Sequence, residues 1–274
     1  MLSRRASARN TLVRAYGAYG QSLPTAFKYE DVPLLLRGWN IVFLHVRGGG
    51  ELGSAWHDQG RRLLKAASSN DVVDGIMWLR MGHLSSRVNC IVLETYSAGA
   101  LSVATAASDA MLARAAPNSP SVPMISALLL QYAFVDPLSA MMDASLSLTV
   151  HERDEWGDPI ADETAKSLLQ NISPYHRVLK GQLPVCPVFV MNSAIDVRVQ
   201  PWQQAKFVQA IRSSIQQSNQ LKRKQLGDQS RNALPPVLMV TDFCNGHMGP
   251  DDPVQQAENS AANLAWMLFA VGEI

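Results

Sequence analysis

Six short runs of apolar, largely β-branched residues recur along the chain, separated by longer segments that include helical periodicity. Such runs predict buried strands, and their alternation with helices is typical of a parallel sheet covered on both faces. The predicted strands span residues 12–16, 40–46, 90–95, 125–132, 187–192 and 237–241. The predicted helices span residues 70–80, 98–112, 201–213 and 253–271. The pattern therefore predicts a doubly wound, mostly parallel α/β fold.

The length of 274 residues fits one α/β domain, residues 1–274, at least as well as two. Two polar segments interrupt the alternation. Residues 115–123 are rich in Pro, Ser and Asn, and residues 217–236 contain a basic run closed by two prolines. Both are predicted to be surface loops inserted into the domain.

The charge balance limits the partners of the chain. With 24 Lys and Arg against 23 Asp and Glu, the net charge is +1, which argues against a nucleic-acid surface. No run of about 18 apolar residues is present, so no membrane span is predicted. The histidines, cysteines and acidic residues lack metal-ligand spacing, and the triple glycine at 48–50 lacks a following GK[ST]. We therefore predict no metal and no nucleotide cofactor.

The location of the protein is suggested only by its cysteines and its N-terminus. Three widely spaced cysteines fit a reducing compartment, which favours the cytoplasm. The first 14 residues carry four arginines and no acidic residue, a composition similar to a mitochondrial presequence. A mitochondrial location is therefore the alternative.

Ser97 stands where the predicted strand 90–95 passes into a predicted helix. This is the context of a nucleophile elbow, a tight turn that exposes a serine hydroxyl above the carboxyl edge of the sheet. Gly99 fits the G-x-S-x-G pattern of such turns, whereas Thr95 stands in place of its first glycine. A β-branched residue there predicts a strained or distorted turn, at about 1–3 kcal/mol. A helix cap is the alternative reading of this serine.

A serine nucleophile needs a histidine base and a carboxylate that orients the histidine. Asp196 follows the predicted strand 187–192, and His247 follows the predicted strand 237–241. Because the carboxyl ends of parallel strands share one edge of the sheet, we expect the three side chains to meet there. The order Ser, Asp, His is that of the α/β-hydrolases.

Eight separate stretches together resemble one family. They are YGAYG (16–20), HVRGGGELG (45–53), SAG (97–99), FVD (134–136), DEWG (154–157), SPY (173–175), DVRV (196–199) and GH (246–247). Their order is similar to that in the catalytic domain of the prolyl oligopeptidase family of serine peptidases, and oligopeptidase B is the more similar branch. The resemblance implies an α/β-hydrolase fold.

The resemblance implies a role for each of five residues. Ser97 matches the nucleophile, Asp196 the orienting carboxylate and His247 the general base. Tyr16 matches the tyrosine whose hydroxyl forms the oxyanion hole together with the amide of the residue after the nucleophile, here Ala98. An ordinary strand aromatic is the alternative for Tyr16.

The resemblance also implies three substrate-binding residues. Arg198 resembles the arginine that holds a substrate carbonyl, and an exposed structural arginine is its alternative. Glu152 and Asp154 match the acidic residues of oligopeptidase B that receive a basic P1 side chain, the residue whose carbonyl is attacked. Carboxylates bind guanidinium groups through charge-assisted hydrogen bonds, so cleavage after Arg or Lys is expected. A solvated acidic turn is the alternative.

The expected function is therefore the hydrolysis of short peptides by a serine peptidase. Cleavage after Pro, a carboxylesterase and an inactive binding module are the alternatives. The family has glycines at positions 95, 96 and 100, where this chain has Thr95, Tyr96 and Ala100. The resemblance begins at about residue 12 and includes no β-propeller, so we expect an exposed sheet edge or propeller-facing surface through which chains associate.

Overall fold

A parallel six-stranded sheet forms the centre of the molecule. The computed structural model describes residues 9–82, 84, 88–109, 115–116, 119–182, 186–226 and 235–274. The strands are β1 (Arg9–Ala15), β2 (Asn40–Leu44), β3 (Val88–Tyr96), β4 (Ala115–Ala116), β5 (Ser119–Pro123), β6 (Ala127–Gln131), β7 (Val188–Ser193) and β8 (Val237–Asp242). The sheet has the order β2-β1-β3-β6-β7-β8, and every pairing in it is parallel. The α/β-hydrolase-like fold is thereby confirmed.

Helices cover both faces of this sheet. They are α1 (Val32–Leu36), α2 (Ser54–Asp58), α3 (Ala66–Arg80), α4 (Gly99–Ala107), α5 (Pro137–Met142), α6 (Arg153–Trp156), α7 (Glu163–Ile172), α8 (Pro174–Leu179), α9 (Pro201–Leu226) and α10 (Pro253–Ala270). Residues of α3, α4 and α9 pack on one face, where Ile76 and Phe207 are fully buried. Residues of α1 and α10 pack on the other, around Trp266.

The position of each strand follows from its apolar content. All but the last residue of β6 are buried, as is expected of a central strand covered on both faces. The strand β2 is partly exposed along its whole length, and β8 alternates between covered and open positions. Among the described strands, these two form the edges of the sheet.

The predictions for the two polar segments were partly wrong. Ala115–Ala116 and Ser119–Pro123 pair as a small antiparallel sheet instead of forming an open loop. The helix α9 continues to Leu226, so residues 217–226 are helical, while residues 227–234 lie outside the described part. The run from 217 to 226 contains no Gly or Pro and is rich in Gln, Lys and Leu, which favour a helix even when no apolar face is present.

Most other boundaries moved by only a few residues. The helix α4 ends at Ala107 instead of residue 112, where Ser108 bonds back to the carbonyl of Ala104. The helix α3 begins at Ala66, four residues before its prediction. In the described residues, no helix is both long and apolar enough to cross a bilayer.

Candidate active site

Ser97 occupies a tight turn between β3 and α4. Its φ of +51° lies in the left-handed region, which non-glycine residues rarely adopt. Two main-chain hydrogen bonds hold the turn: the Ser97 amide donates to the Gln131 carbonyl (2.8 Å), and the Phe134 amide donates to the Ser97 carbonyl (3.0 Å). Strained backbone that is fixed from both sides is typical of a functional turn.

Thr95 fits into this turn without disrupting it. Its hydroxyl donates to the Ala15 carbonyl at 2.9 Å, which satisfies a buried polar group. A Cβ on Gly99 would lie 2.3 Å from that hydroxyl oxygen. The Thr95 side chain therefore occupies space that is free because residue 99 is a glycine. The distortion expected from the sequence is therefore not seen, because Gly99 compensates for the larger residue.

Asp196 lies just after β7 and presents one oxygen to a histidine. Its Oδ1 accepts hydrogen bonds from the main-chain amides of Arg198 and Val199, both at 2.9 Å. Its Oδ2 lies 2.7 Å from His247 Nδ1, and the carboxylate is buried. Because the two amides fix the first oxygen, the second can only face the imidazole.

His247 follows β8 and completes a continuous chain of hydrogen bonds. Its Nε2 lies 2.8 Å from Ser97 Oγ, while its Nδ1 faces Asp196. In this order an imidazole can accept the serine proton while the carboxylate stabilises the resulting imidazolium. The structure thus brings together the three residues that the sequence singled out, each at the carboxyl end of a different strand.

Tyr16 directly follows β1, and its side chain lies against the Ser97 turn. Burial raises the pKa of Tyr16 to about 12, the carboxylates of Glu155 and Glu152 add to the shift, and Arg198 opposes it. The phenol is therefore protonated at neutral pH and is available as a donor. Tyr16 and Ala98 line the same cavity as Ser97.

The cavity above Ser97 has a volume of about 840 Å³. This size is within the usual range for small-ligand sites. Seven of the eight residues singled out from the sequence line it: Tyr16, Ser97, Ala98, Glu152, Asp154, Arg198 and His247. The eighth, Asp196, lies behind His247. Among the described residues, no group of three His, Cys, Asp or Glu side chains could hold a metal ion.

Glu152 is a half-buried carboxylate in this cavity. Its Oε1 accepts from the Tyr19 hydroxyl (3.0 Å), and its Oε2 accepts from the Trp156 indole (3.1 Å). Burial raises its pKa, although these two hydrogen bonds and the charge of Arg198 oppose the shift. Both hydrogen-bonding partners are neutral, so the negative charge of Glu152 is available to a cation.

Asp154 lies differently from Glu152. Its side chain is 80% exposed at the mouth of the cavity and forms an ion pair with Arg62. The Arg62 Nε also donates to the Asp154 carbonyl at 3.0 Å. The two acidic residues of the predicted pocket therefore have different environments. Glu152 is half-buried with neutral hydrogen-bonding partners, and Asp154 is exposed and paired with a cation.

A buried charge network beside the pocket was not foreseen from the sequence. The Lys65 ammonium donates to the Gly17 carbonyl and to Glu155 Oε1, both at 2.8 Å, and lies 4.6 Å from the centre of the Trp156 ring. The second oxygen of Glu155 is 2.7 Å from His57 Nε2. Burial lowers the pKa of Lys65, and Glu155 opposes this effect. The sequence around Lys65 gives no indication that this residue is buried. Glu155 is adjacent to Asp154, so the sequence could have indicated it as a third acidic residue of the pocket.

Two histidines outside the predicted triad also line the cavity. The sequence indicates that His57 and His151 are surface or structural residues, and the structure agrees, because His151 is exposed and His57 pairs with Glu155, while both also line the cavity. Their positions depend on α2 and on the segment before α6, which fold over the carboxyl edge of the sheet. The sequence carries no sign of that packing.

The sequence and the fold are similar to those of known proteins. The model of the prolyl oligopeptidase family matches residues 25–273. Prolyl endopeptidase-like protein of Gallus gallus is 33% identical over 86% of this chain and 30% of its own length. Dipeptidyl aminopeptidase BI of Pseudoxanthomonas mexicana is 29% identical over 94% of this chain and 31% of its own length.

A solved structure of oligopeptidase B from Leishmania major superposes with a TM-score of 0.79 at 23% identity, covering 98% of this chain and 33% of that one. The chain spans about a third of the length of these relatives. The family match includes the strands that carry Ser97, Asp196 and His247. The chain therefore belongs to the prolyl oligopeptidase family of peptidases.

Proposed function

We propose that the chain is a serine peptidase that cleaves short peptides through an acyl-enzyme. The observation that carries this proposal is the chain of hydrogen bonds from Ser97 through His247 to Asp196, on the floor of an open cavity. The family membership supports the same conclusion. Cleavage after Arg or Lys is the proposed specificity.

The geometry supports a two-step reaction. Ser97 Oγ attacks the substrate carbonyl carbon while His247 Nε2 takes its proton, and the oxygen of the tetrahedral intermediate faces the Tyr16 hydroxyl and the Ala98 amide. His247 then gives the proton to the leaving amine as the peptide bond breaks. A water molecule, deprotonated by His247, next attacks the acyl ester, and His247 returns that proton to Ser97 Oγ as the ester bond breaks. Asp196 stabilises the imidazolium in both steps.

The proposed P1 specificity rests on Glu152. A basic P1 side chain would form charge-assisted hydrogen bonds with this half-buried carboxylate, contributing about 1.5–3 kcal/mol. That energy corresponds to about a 10- to 150-fold preference over a neutral side chain of the same shape. Glu155 is already paired with Lys65 and His57, so Glu152 is the carboxylate of this pocket best placed to receive the substrate.

Activation of Ser97 is tested by labelling the purified protein with a fluorophosphonate and measuring intact mass. We expect one adduct on the wild type and none on Ser97→Ala. Ser22→Ala is the matched control, because Ser22 lines the same cavity outside the triad, and it should label like the wild type. A folded wild type that does not label would refute the proposal and favour an inactive binding module.

Specificity is tested with four peptide reporters that differ only at P1, carrying Arg, Lys, citrulline or Pro. Citrulline keeps the shape of arginine without its charge. We expect kcat/KM to be highest for Arg and Lys, and the preference of Arg over citrulline to collapse in Glu152→Gln. Faster cleavage after Pro would contradict the basic pocket. A simple ester reporter is assayed beside the peptides, and its hydrolysis with no cleavage of any peptide would favour a carboxylesterase.

A further inference from the structure

Two tyrosine rings pack against each other and against the catalytic imidazole. The ring centres of Tyr96 and His247 are 5.3 Å apart, those of Tyr96 and Tyr132 are 5.6 Å apart, and those of Tyr132 and His247 are 5.9 Å apart. Both tyrosine contacts to His247 are edge-to-face, a geometry that aromatic rings favour. The imidazole thus packs against two tyrosines that also contact each other.

The Tyr96 hydroxyl adds a second and more specific link. It donates a hydrogen bond to the main-chain carbonyl of His247. Burial raises the pKa of Tyr96, so the phenol stays protonated and keeps its proton for this bond. Tyr96 is also the residue immediately before Ser97, so one side chain connects the turn of the nucleophile to the loop of the base.

Such a link matters because the two catalytic segments lie far apart in the sheet. Ser97 follows β3 and His247 follows β8, with β6 and β7 between them. At about 4.8 Å per strand, the two strands are separated by about 14 Å. Small shifts of the intervening strands would therefore add up at the 2.8 Å contact between His247 Nε2 and Ser97 Oγ.

Other contacts hold the loop before and after the histidine, and those after it include the bonds from the Gly249 amide to the Gly246 carbonyl and from the Gln256 side chain to the Pro250 carbonyl. The Asp242 carboxylate accepts hydrogen bonds from the amides of Cys244 and Asn245, and Ser193 donates to the Asn245 carbonyl. These contacts fix the loop two residues upstream of His247. The bond from Tyr96 is made to the main chain of His247 itself.

We propose that Tyr96 is a positioning residue for His247, which fixes the main chain of the base relative to the nucleophile and so preforms the Ser97–His247 hydrogen bond. The proposal rests on the function proposed above. The proposal gives Tyr96 a specific role, although position 96 is the first variable position of the G-x-S-x-G motif.

The test compares Tyr96→Phe, which keeps the ring and removes the hydroxyl, with Tyr175→Phe, which removes a hydroxyl from a partly buried tyrosine on α8. We expect Tyr96→Phe to lower kcat by about 10-fold or more with KM within twofold, because small misplacements of a base reduce turnover strongly. The control should stay within twofold of the wild type. A kcat of Tyr96→Phe within twofold of the wild type, or a loss confined to KM, would overturn the proposal.

A spectroscopic measurement separates this proposal from the proposed activity. The His247 Nδ1 proton, bonded to Asp196, should give a low-field proton NMR signal that is absent in His247→Gln. We expect Tyr96→Phe to broaden that signal through faster solvent exchange, while Tyr175→Phe leaves it unchanged. An equally sharp signal in Tyr96→Phe would overturn the positioning role, whether or not the wild type cleaves peptides. Failure of the wild type to label with fluorophosphonate would instead refute the activity alone.

Discussion

Replacing Gly99 with alanine should destabilise the turn that carries Ser97. The new Cβ would lie 2.3 Å from Thr95 Oγ1, 3.0 Å from Tyr16 Cδ2 and 3.1 Å from the Ala15 carbonyl oxygen. Overpacking of this kind costs about 1–3 kcal/mol, and the better helix propensity of alanine offsets up to about 1 kcal/mol. Taking a cost of about 2 kcal/mol, the middle of that range, we expect a net loss of about 1–2 kcal/mol in the free energy of unfolding.

A second substitution identifies the cause of that loss. Thr95→Ala removes the oxygen that forms the shortest contact, so Gly99→Ala should cost less than about 1 kcal/mol in that background. Thr95→Val is the matched control, because valine keeps the branched shape and removes only the hydrogen bond to Ala15. In the valine background the full penalty of Gly99→Ala should remain.

Urea denaturation of the single and double variants gives the coupling energy between the two positions. We expect a coupling of about 1 kcal/mol or more for the alanine pair and close to zero for the valine pair. The fluorophosphonate labelling rate of Ser97 should follow the same pattern, because Tyr16 packs against position 99. Additive effects in both pairs, or equal rescue by valine and alanine, would refute the steric argument.

Three further results are expected. Lys65→Met should lower the free energy of unfolding by about 3–5 kcal/mol in urea denaturation, because it leaves Glu155 buried without its ammonium partner, and a loss below 1 kcal/mol would contradict this. Burial raises the pKa of Glu152, and its ionised form is the one that binds a cation. The Arg-over-citrulline ratio of kcat/KM should therefore be full at neutral pH and decline on acidification before the ordinary glutamate pKa of 4.5 is reached; a constant ratio down to that pH would argue against Glu152 as the P1 group. Arg62→Gln frees the exposed Asp154, so it should raise kcat/KM for the Arg reporter by about two- to fivefold and leave citrulline unchanged, and an equal rise for both reporters would exclude the charge effect.

The fold could be predicted from the sequence because its strands are strongly apolar. All six strands of the main sheet fall where the β-branched runs predict them, and β8 was placed to within one residue. Some errors occur where apolar periodicity is absent, whereas six shorter helices, α1, α2 and α5 to α8, were not predicted at all, although α7 is amphipathic. The end of α9 is polar yet helical, because propensity without an apolar stripe decides its conformation. The small sheet at 115–123 depends on pairing between short segments that carry no strong strand signal.

The triad was predictable for a different reason. Ser97, Asp196 and His247 each lie within five residues of the end of a strand, so chain order and sheet geometry together bring them to one edge. The network around Lys65 had no such signal, because its partner Glu155 lies 90 residues away in the sequence. Long-range side-chain pairing of this kind depends on how the segments above the sheet pack, which local patterns do not encode.

The acidic turn shows why residue type alone does not define a binding pocket. It supplies three carboxylates within four residues, and the structure gives each a different environment. Glu155 is paired with the buried ammonium of Lys65, and Asp154 is solvated and paired with Arg62. Glu152 alone of the three combines partial burial with neutral partners. A half-buried charge of this kind gains from a cation, since the substrate would supply a counter-charge in direct contact, which neither hydrogen-bonding partner of Glu152 provides. A neutral P1 side chain would bury Glu152 further without compensating it, so the same residue that attracts a basic substrate also discriminates against a neutral one.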